Sequence, residues 1–149
     1  MNPRRIALAA ALLATLAIAA QALAASSPTV SLRSTAYGKI LVNSKGFTLY
    51  LWAKDKPNKS ACSGPCLAVW PFVIVSGKPT AGPGIAASKL GTIAVKVNGK
   101  TVQELTYNKH PLYTYISDVK PGVISGQGNG SFGAPWWVVS ASGAAITKK

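Results

Sequence analysis

The chain has 149 residues, 48% of them hydrophobic and 13% charged, with 16 Lys and Arg against 3 Asp and Glu, a formal net charge of +13 at pH 7. One His, a single Met that is the initiator, and two Cys expected to pair with each other leave too few free soft ligands for a transition-metal centre, which needs about three converging. Three carboxylates restrict acid–base chemistry to a single pair.

Arg4 and Arg5 precede an apolar run over residues 6–20, and Ala22-Leu23-Ala24 supplies a small-x-small cleavage pattern. Residues 1–24 therefore read as a signal peptide, with Ala25 the first mature residue. As a helix the run would reach about 22 Å, short of the roughly 30 Å of bilayer hydrocarbon. No cysteine follows it, so no lipobox anchor is expected, and no later stretch is long and apolar enough to span a membrane. The mature chain, at 14 − 3 = +11, is expected in the periplasm or outside the cell.

Residues 30–35 alternate weakly, as a strand does, and 40–42 form a stronger one. Asn43-Ser44-Lys45-Gly46 has turn chemistry, and residues 47–53 return as the second arm of a hairpin. The period of two puts Tyr50 and Trp52 on one face and Leu49 and Leu51 on the other. Asp55 lies just past this arm, where a carboxylate accepts backbone N–H groups. The loop 56–69 holds Cys62 and Cys66, which in an oxidising compartment pair across Ser63-Gly64-Pro65. Trp70-Pro71 leads into a strand over 72–76 that closes at Gly77. Residues 78–91, rich in Pro, Gly and Ala, form a connector with at most one helical turn, over 85–90.

Asn98-Gly99, flanked by residues 92–97 and 100–106, is a strong hairpin signal, because both positions take positive φ. Asn108-Lys109-His110-Pro111 reads as the next turn. A glycine-rich loop runs to Pro135, and Trp136-Trp137-Val138-Val139 is a buried strand ending at Ser142-Gly143.

Leu49-Tyr50-x-Trp52-x-x-Asp55 returns as Leu112-Tyr113-x-Tyr115-x-x-Asp118, and two of the three acids close these copies. Trp70 to Ser76-Gly77 is matched by Trp136 to Ser142-Gly143. The chain thus reads as two repeats, about 38–77 and 102–143, within one β domain over 25–149. No stretch carries a helical apolar period, so the expected class is all-β: a compact sandwich or barrel-like arrangement of two duplicated units, with little or no helix.

This pattern resembles a bacterial secreted repeat family of predicted lipoproteins with a Y-x-[FWY]-x-x-D motif. Tyr50-x-Trp52-x-x-Asp55 and Tyr113-x-Tyr115-x-x-Asp118 match it twice. Cys62-Ser63-Gly64-Pro65-Cys66-Leu67-Ala68-Val69-Trp70-Pro71 and Pro111-Leu112-Tyr113 match its flanking segments. The similarity spans about residues 36–143. Phe72 replaces a second proline common there, and the lipid-bearing cysteine is missing, so the anchor is not carried over. The resemblance implies an exported envelope protein and brings no biochemical activity with it.

Tyr50, Trp52, Tyr113 and Tyr115 offer stacking faces for a ligand, but a motif used twice by repeat symmetry favours core rings, with Asp55 and Asp118 closing strand ends. Trp70, Pro71, Trp136 and Trp137 are read as structural. The spacing of Cys62 and Cys66 is not the C-x-x-C of thioredoxin-like proteins, and Leu67 stands where haem attachment needs a histidine, so the pair reads as a static staple. His110 is a turn residue. No helix follows Gly126-Gln127-Gly128-Asn129-Gly130, which excludes a phosphate loop.

The scattered lysines suit loose contact with anionic envelope polymers or lipid headgroups, and export excludes genomic nucleic acid. The expected role is a non-enzymatic exported binding or structural module of the envelope, without metal or cofactor. One alternative is a periplasmic redox- or metal-associated factor using Cys62 and Cys66. Another is a hydrolase using Asp55 and Asp118.

Overall fold

The computed structural model describes residues 29–149, so the signal peptide read over residues 1–24 lies outside the described residues. Short antiparallel strands dominate them. β1 (Val30–Thr35) pairs with β2 (Gly38–Asn43), placing Val30 opposite Asn43 and Arg33 opposite Ile40. β3 (Tyr50–Trp52) and β4 (Ile74–Val75) flank a helix, α1 (Pro65–Val69). After a 3-10 turn at Ala87–Lys89 come β5 (Leu90–Val97), β6 (Lys100–Tyr107) and β7 (His110–Pro111). A second 3-10 turn at Ser131–Gly133 precedes β8 (Trp136–Val138). The sheets are β1-β2, β3-β8 and β4-β6-β5 with β7 also on β6. They form a sandwich rather than a closed barrel.

Local chemistry explains the turns. Asn98 and Gly99 take φ of 50° and 76°, the primed geometry whose twist matches the strands it joins. Asn108 and Lys109 do the same at 49° and 67°. The second turn is therefore two residues, not the four expected, and His110 and Pro111 already pair with Tyr107 and Thr106. The expected helical turn in the connector is the 3-10 turn at Ala87–Lys89. The cysteine loop also ends in one short helix, which Pro65 starts, as a residue whose missing N–H would have no helical partner.

Two expected strands are shorter than read. The arm over 47–53 follows β2 through two backbone bonds, Asn43 N–H to Phe47 O (2.9 Å) and Leu49 N–H to Leu41 O (3.1 Å). It then leaves to pair with β8, Tyr50 opposite Val138 and Trp52 opposite Trp136. The strand over 72–76 contracts to Ile74–Val75. The second motif copy forms no ladder of its own; Tyr113 instead bridges to both Tyr50 and Phe72.

The period of two in β3 divides the core. Leu49 and Leu51 join Val30, Leu41, Leu105, Leu112, Trp137 and Val139 on one side. Tyr50 and Trp52 join Ile40, Trp70, Tyr113, Trp136 and Val138 on the other. A two-residue repeat buried on both faces has no solvent side, which is why all three residues of β3 are buried.

Backbone bonds fix how the repeats correspond. Leu41 N–H donates to Val139 O (2.9 Å) as Leu105 N–H does to Val73 O (2.8 Å). Ala53 N–H to Pro135 O (3.0 Å) is mirrored by Ile116 N–H to Val69 O (3.0 Å). Each motif segment thus lies along the tryptophan segment of the other repeat. The two units are interleaved about a local two-fold at Tyr50 and Tyr113.

Candidate functional site

The motif residues converge at that two-fold. The Tyr50 hydroxyl donates to Asp118 Oδ2 at 2.7 Å, and the Tyr113 hydroxyl donates to Asp55 Oδ2 at 2.8 Å. Each tyrosine serves the aspartate of the other copy. The remaining carboxylate oxygens hold loops: Asp55 Oδ1 accepts the Ala61 N–H (2.8 Å), and Asp118 Oδ1 accepts the Ser125 N–H (2.8 Å) and hydroxyl (2.5 Å). Ser60 Oγ lies 2.6 Å from the Tyr113 hydroxyl, as the Gly126 N–H reaches the Tyr50 hydroxyl at 3.2 Å. Burial, more than the neighbouring carboxylates, raises the phenol pKa of both tyrosines well above the usual range, so both stay protonated donors. Burial also raises Asp55, against the pull of the Ala61 N–H and Tyr113 hydroxyl.

Four rings stack into a column between these pairs. Trp52 lies parallel to Trp136 (centroids 4.9 Å apart, 4°), Trp136 to Trp70 (3.9 Å, 1°) and Trp70 to Tyr115 (4.2 Å, 21°). Tyr50 meets Trp70 edge-on at 5.3 Å, and Tyr113 meets Trp136 edge-on at 5.0 Å. The order Trp52–Trp136–Trp70–Tyr115 reads the same from either end, motif ring, segment tryptophan, segment tryptophan, motif ring. Both inner indoles donate to Ser131, Trp70 to its hydroxyl and Trp136 to its carbonyl, each at 3.1 Å. Only Tyr115, half-buried, nears solvent, while the Lys54 ammonium lies over the Trp52 end at 5.3 Å. The column spends its stacking faces on itself. Trp137 belongs to the opposite core, and Pro71 is exposed, its carbonyl accepting the Thr114 N–H at 3.1 Å.

Cys62 and Cys66 are joined as a disulfide, and both are buried. Cys66 sits in α1, and its carbonyl accepts the Trp70 N–H at 2.8 Å, so the staple anchors the segment that carries the inner tryptophan. His110 lies in β7, half-buried, with its pKa lowered by burial. Among the described residues no three His, Cys, Asp or Glu side chains gather as a metal site.

One residue escaped the sequence reading. Glu104 in β6 is fully buried, and neither carboxylate oxygen has a hydrogen-bond partner. Burial first, and the Asp55 charge second, push its pKa up to about 9, so it is neutral at pH 7. With Leu41 matched to Leu105, Glu104 takes the position that Ile40 holds in the first repeat. A structural alignment of the repeats exposes this; the motif spacing does not.

The charge distribution follows. Glu104 and Asp118 are buried and Asp55 half-buried, so no acidic side chain is exposed among the described residues. Twelve of the thirteen described lysines are exposed.

A sequence profile described as a secreted repeat of unknown function matches residues 31–74 and again residues 103–140. No curated protein and no solved structure matches the chain. Among the described residues no helix is long and apolar enough to cross a membrane.

Proposed function

Because the chain belongs to a family of secreted repeats of unknown function, we propose that it is a non-enzymatic module of the cell envelope that adheres to anionic partners, envelope polymers or lipid headgroups, through its lysine surface. The observation that carries this reading is the separation of charge by depth: the three acids are spent inside the fold while twelve lysines face outward. Lysine is a hydrated point charge on a flexible stem, suited to tolerant contact with a polyanion rather than bidentate recognition. The engaged oxygens of Asp55 and Asp118, and the buried sulfurs of Cys62 and Cys66, support structural rather than catalytic or redox roles for those residues. Localisation outside the cytoplasm accords with the disulfide and the family's secreted character.

Sedimentation with long-chain polyphosphate and with phosphatidylglycerol vesicles tests the reading. Binding is expected to both at low salt and to be lost near 1 M, where the Debye length falls from about 10 Å at 0.1 M to about 3 Å. Equal binding to neutral phosphatidylcholine vesicles, or binding indifferent to salt, overturns it.

A further inference from the structure

The two repeats differ in one groove. β5 and β6 pair over eight residues each, against six in β1 and β2, so the second hairpin projects further. In it Ile93 stands opposite Glu104 and Val95 opposite Val102, which puts these four side chains on one face. In the first repeat the position of Ile93 belongs to Arg33, which stands opposite Ile40.

Arg33 closes its own side. Its guanidinium lies so close to Gly46 and Gly122 that a Cβ on either would come within 2.7 and 2.8 Å of it. Ile93, shorter and uncharged, lines an open space instead. Between the β5 face and the disulfide loop an open groove of about 330 Å³ remains, within the size range of small-molecule sites. Leu67, Phe72, Ile93 and Val95 wall it, and Lys59 and Lys96 also line it, Lys96 from the strand's other face at the open β5 edge. An apolar hollow of about 170 Å³ shares Leu67 and Phe72 with it and is lined further by Pro71, Ile74 and Val97.

We propose that this groove binds a free anionic amphiphile, its alkyl chain along the apolar wall and its acidic head between Lys59 and Lys96. A bare sugar or phosphate polymer has nothing to place against Leu67, Phe72, Ile93 and Val95. A cationic amphiphile meets two rim lysines and an uncompensated positive field. The acids nearest the groove offer no opposing surface charge, since Glu104 is fully buried and Asp55 is bonded to Ala61 and Tyr113. The proposal rests on the anionic-partner reading for the head group alone; the chain site is independent of it.

The test uses the exported, disulfide-intact protein, titrated by calorimetry and amide NMR with decanoate and decyltrimethylammonium, each below its micelle concentration. Decanoate is expected to saturate with shifts at Phe72, Ile93 and Val95, to bind at least tenfold more tightly than the ammonium, and to gain up to about fourfold per added methylene. Ile93→Arg, which installs the side chain that fills the first repeat, should remove decanoate binding while polyphosphate sedimentation persists; Val95→Lys on the same wall serves if that variant does not fold. Lys59→Gln with Lys96→Gln should erase the preference for the anion and spare chain-dependent binding. Undiminished decanoate binding in Ile93→Arg, or in Val95→Lys where that variant serves, overturns the proposal, as does equal or tighter binding of the ammonium, which would direct the site to Glu104. Loss of polyphosphate binding with decanoate binding intact would instead sink the polymer reading alone.

Discussion

Tyr50 and Tyr113 exchange both of their backbone hydrogen bonds, Tyr50 N–H to Tyr113 O at 2.9 Å and Tyr113 N–H to Tyr50 O at 3.0 Å. From this contact each side chain runs to the aspartate of the opposite copy. The repeated motif is therefore one interlock made twice over, and its residues are best tested as pairs.

Tyr50→Phe and Tyr113→Phe should each cost about 1–3 kcal/mol, because each leaves a carboxylate short of a donor in a poorly solvated place. Asp118→Asn should cost a similar amount. Combined with Tyr50→Phe it should cost less than the sum of the two, by about 0.5–3 kcal/mol in a double-mutant cycle measured by denaturant unfolding. Strict additivity would show that the 2.7 Å contact carries no energy.

Removal of an inner ring should be more costly. Trp70→Ala and Trp136→Ala are expected to lose about 3–5 kcal/mol each, since both rings are fully buried and stacked on both faces. Parallel indoles at 3.9 and 4.9 Å should also give an excitonic circular dichroism couplet, which Trp136→Phe, by breaking both indole pairs, removes without unfolding the chain. A spectrum unchanged by that substitution argues against the column.

The staple closes a short ring. Replacing Cys62 and Cys66 together by alanine should lower stability by about 2 kcal/mol and leave the protein folded. The native protein should titrate no thiol, and none when denatured until a reductant is added, because both sulfurs are held in the disulfide. Fast reduction of the folded protein by mild thiols would contradict a static role.

Glu104 gives a pH dependence of definite sign. Its pKa is about 9 in the fold, against about 4.3 in an unfolded chain, so the folded state keeps a proton that the unfolded state releases. This group's contribution is greatest below about pH 4.3, falls by about 1.4 kcal/mol per pH unit up to about 9, and is level beyond. Asp55, also raised, adds a drift of the same sign. Glu104→Gln should flatten the slope between pH 5 and 9. Glu104→Ile, the occupant of the matching position in the first repeat, should flatten it too and gain about 4 kcal/mol at pH 7. Denaturant midpoints measured across that range decide it; a slope untouched in the Gln variant would mean that the carboxyl finds a partner or water in solution.

What the sequence disclosed follows from how local each signal is. The alternation of Leu49, Tyr50, Leu51 and Trp52 assigns faces wherever the strand goes, and these residues do divide between the two cores. Asn98-Gly99 dictates a turn by its own dihedral freedom. The partner of β3 was hidden, because a strand's edge advertises hydrogen-bonding capacity without naming who fills it. The nearest candidate, β2, lost to β8, over eighty residues away. The crossed tyrosines were hidden for the same reason. Glu104 went unrecognised because the turns differ in length. Leu41 to Leu49 is 49 − 41 = 8 positions and Leu105 to Leu112 is 112 − 105 = 7, so aligning the copies on their tyrosines places Glu104 against Leu41 instead of Ile40.

The interleaving of the repeats also bears on ancestry. In each half, the motif segment finds its tyrosine's backbone partner, its aspartate's phenol and the next ring of the aromatic column in the other half. A gene encoding one such unit would have specified a polypeptide with its largest side chains bare, able to fold only by embracing a second copy of itself. Duplication and fusion would then have tethered an obligate homodimer, raising the effective concentration of one half for the other. The fusion also freed the halves to diverge, which a symmetric dimer forbids: Arg33 and Ile40 on one side, Ile93 and Glu104 on the other.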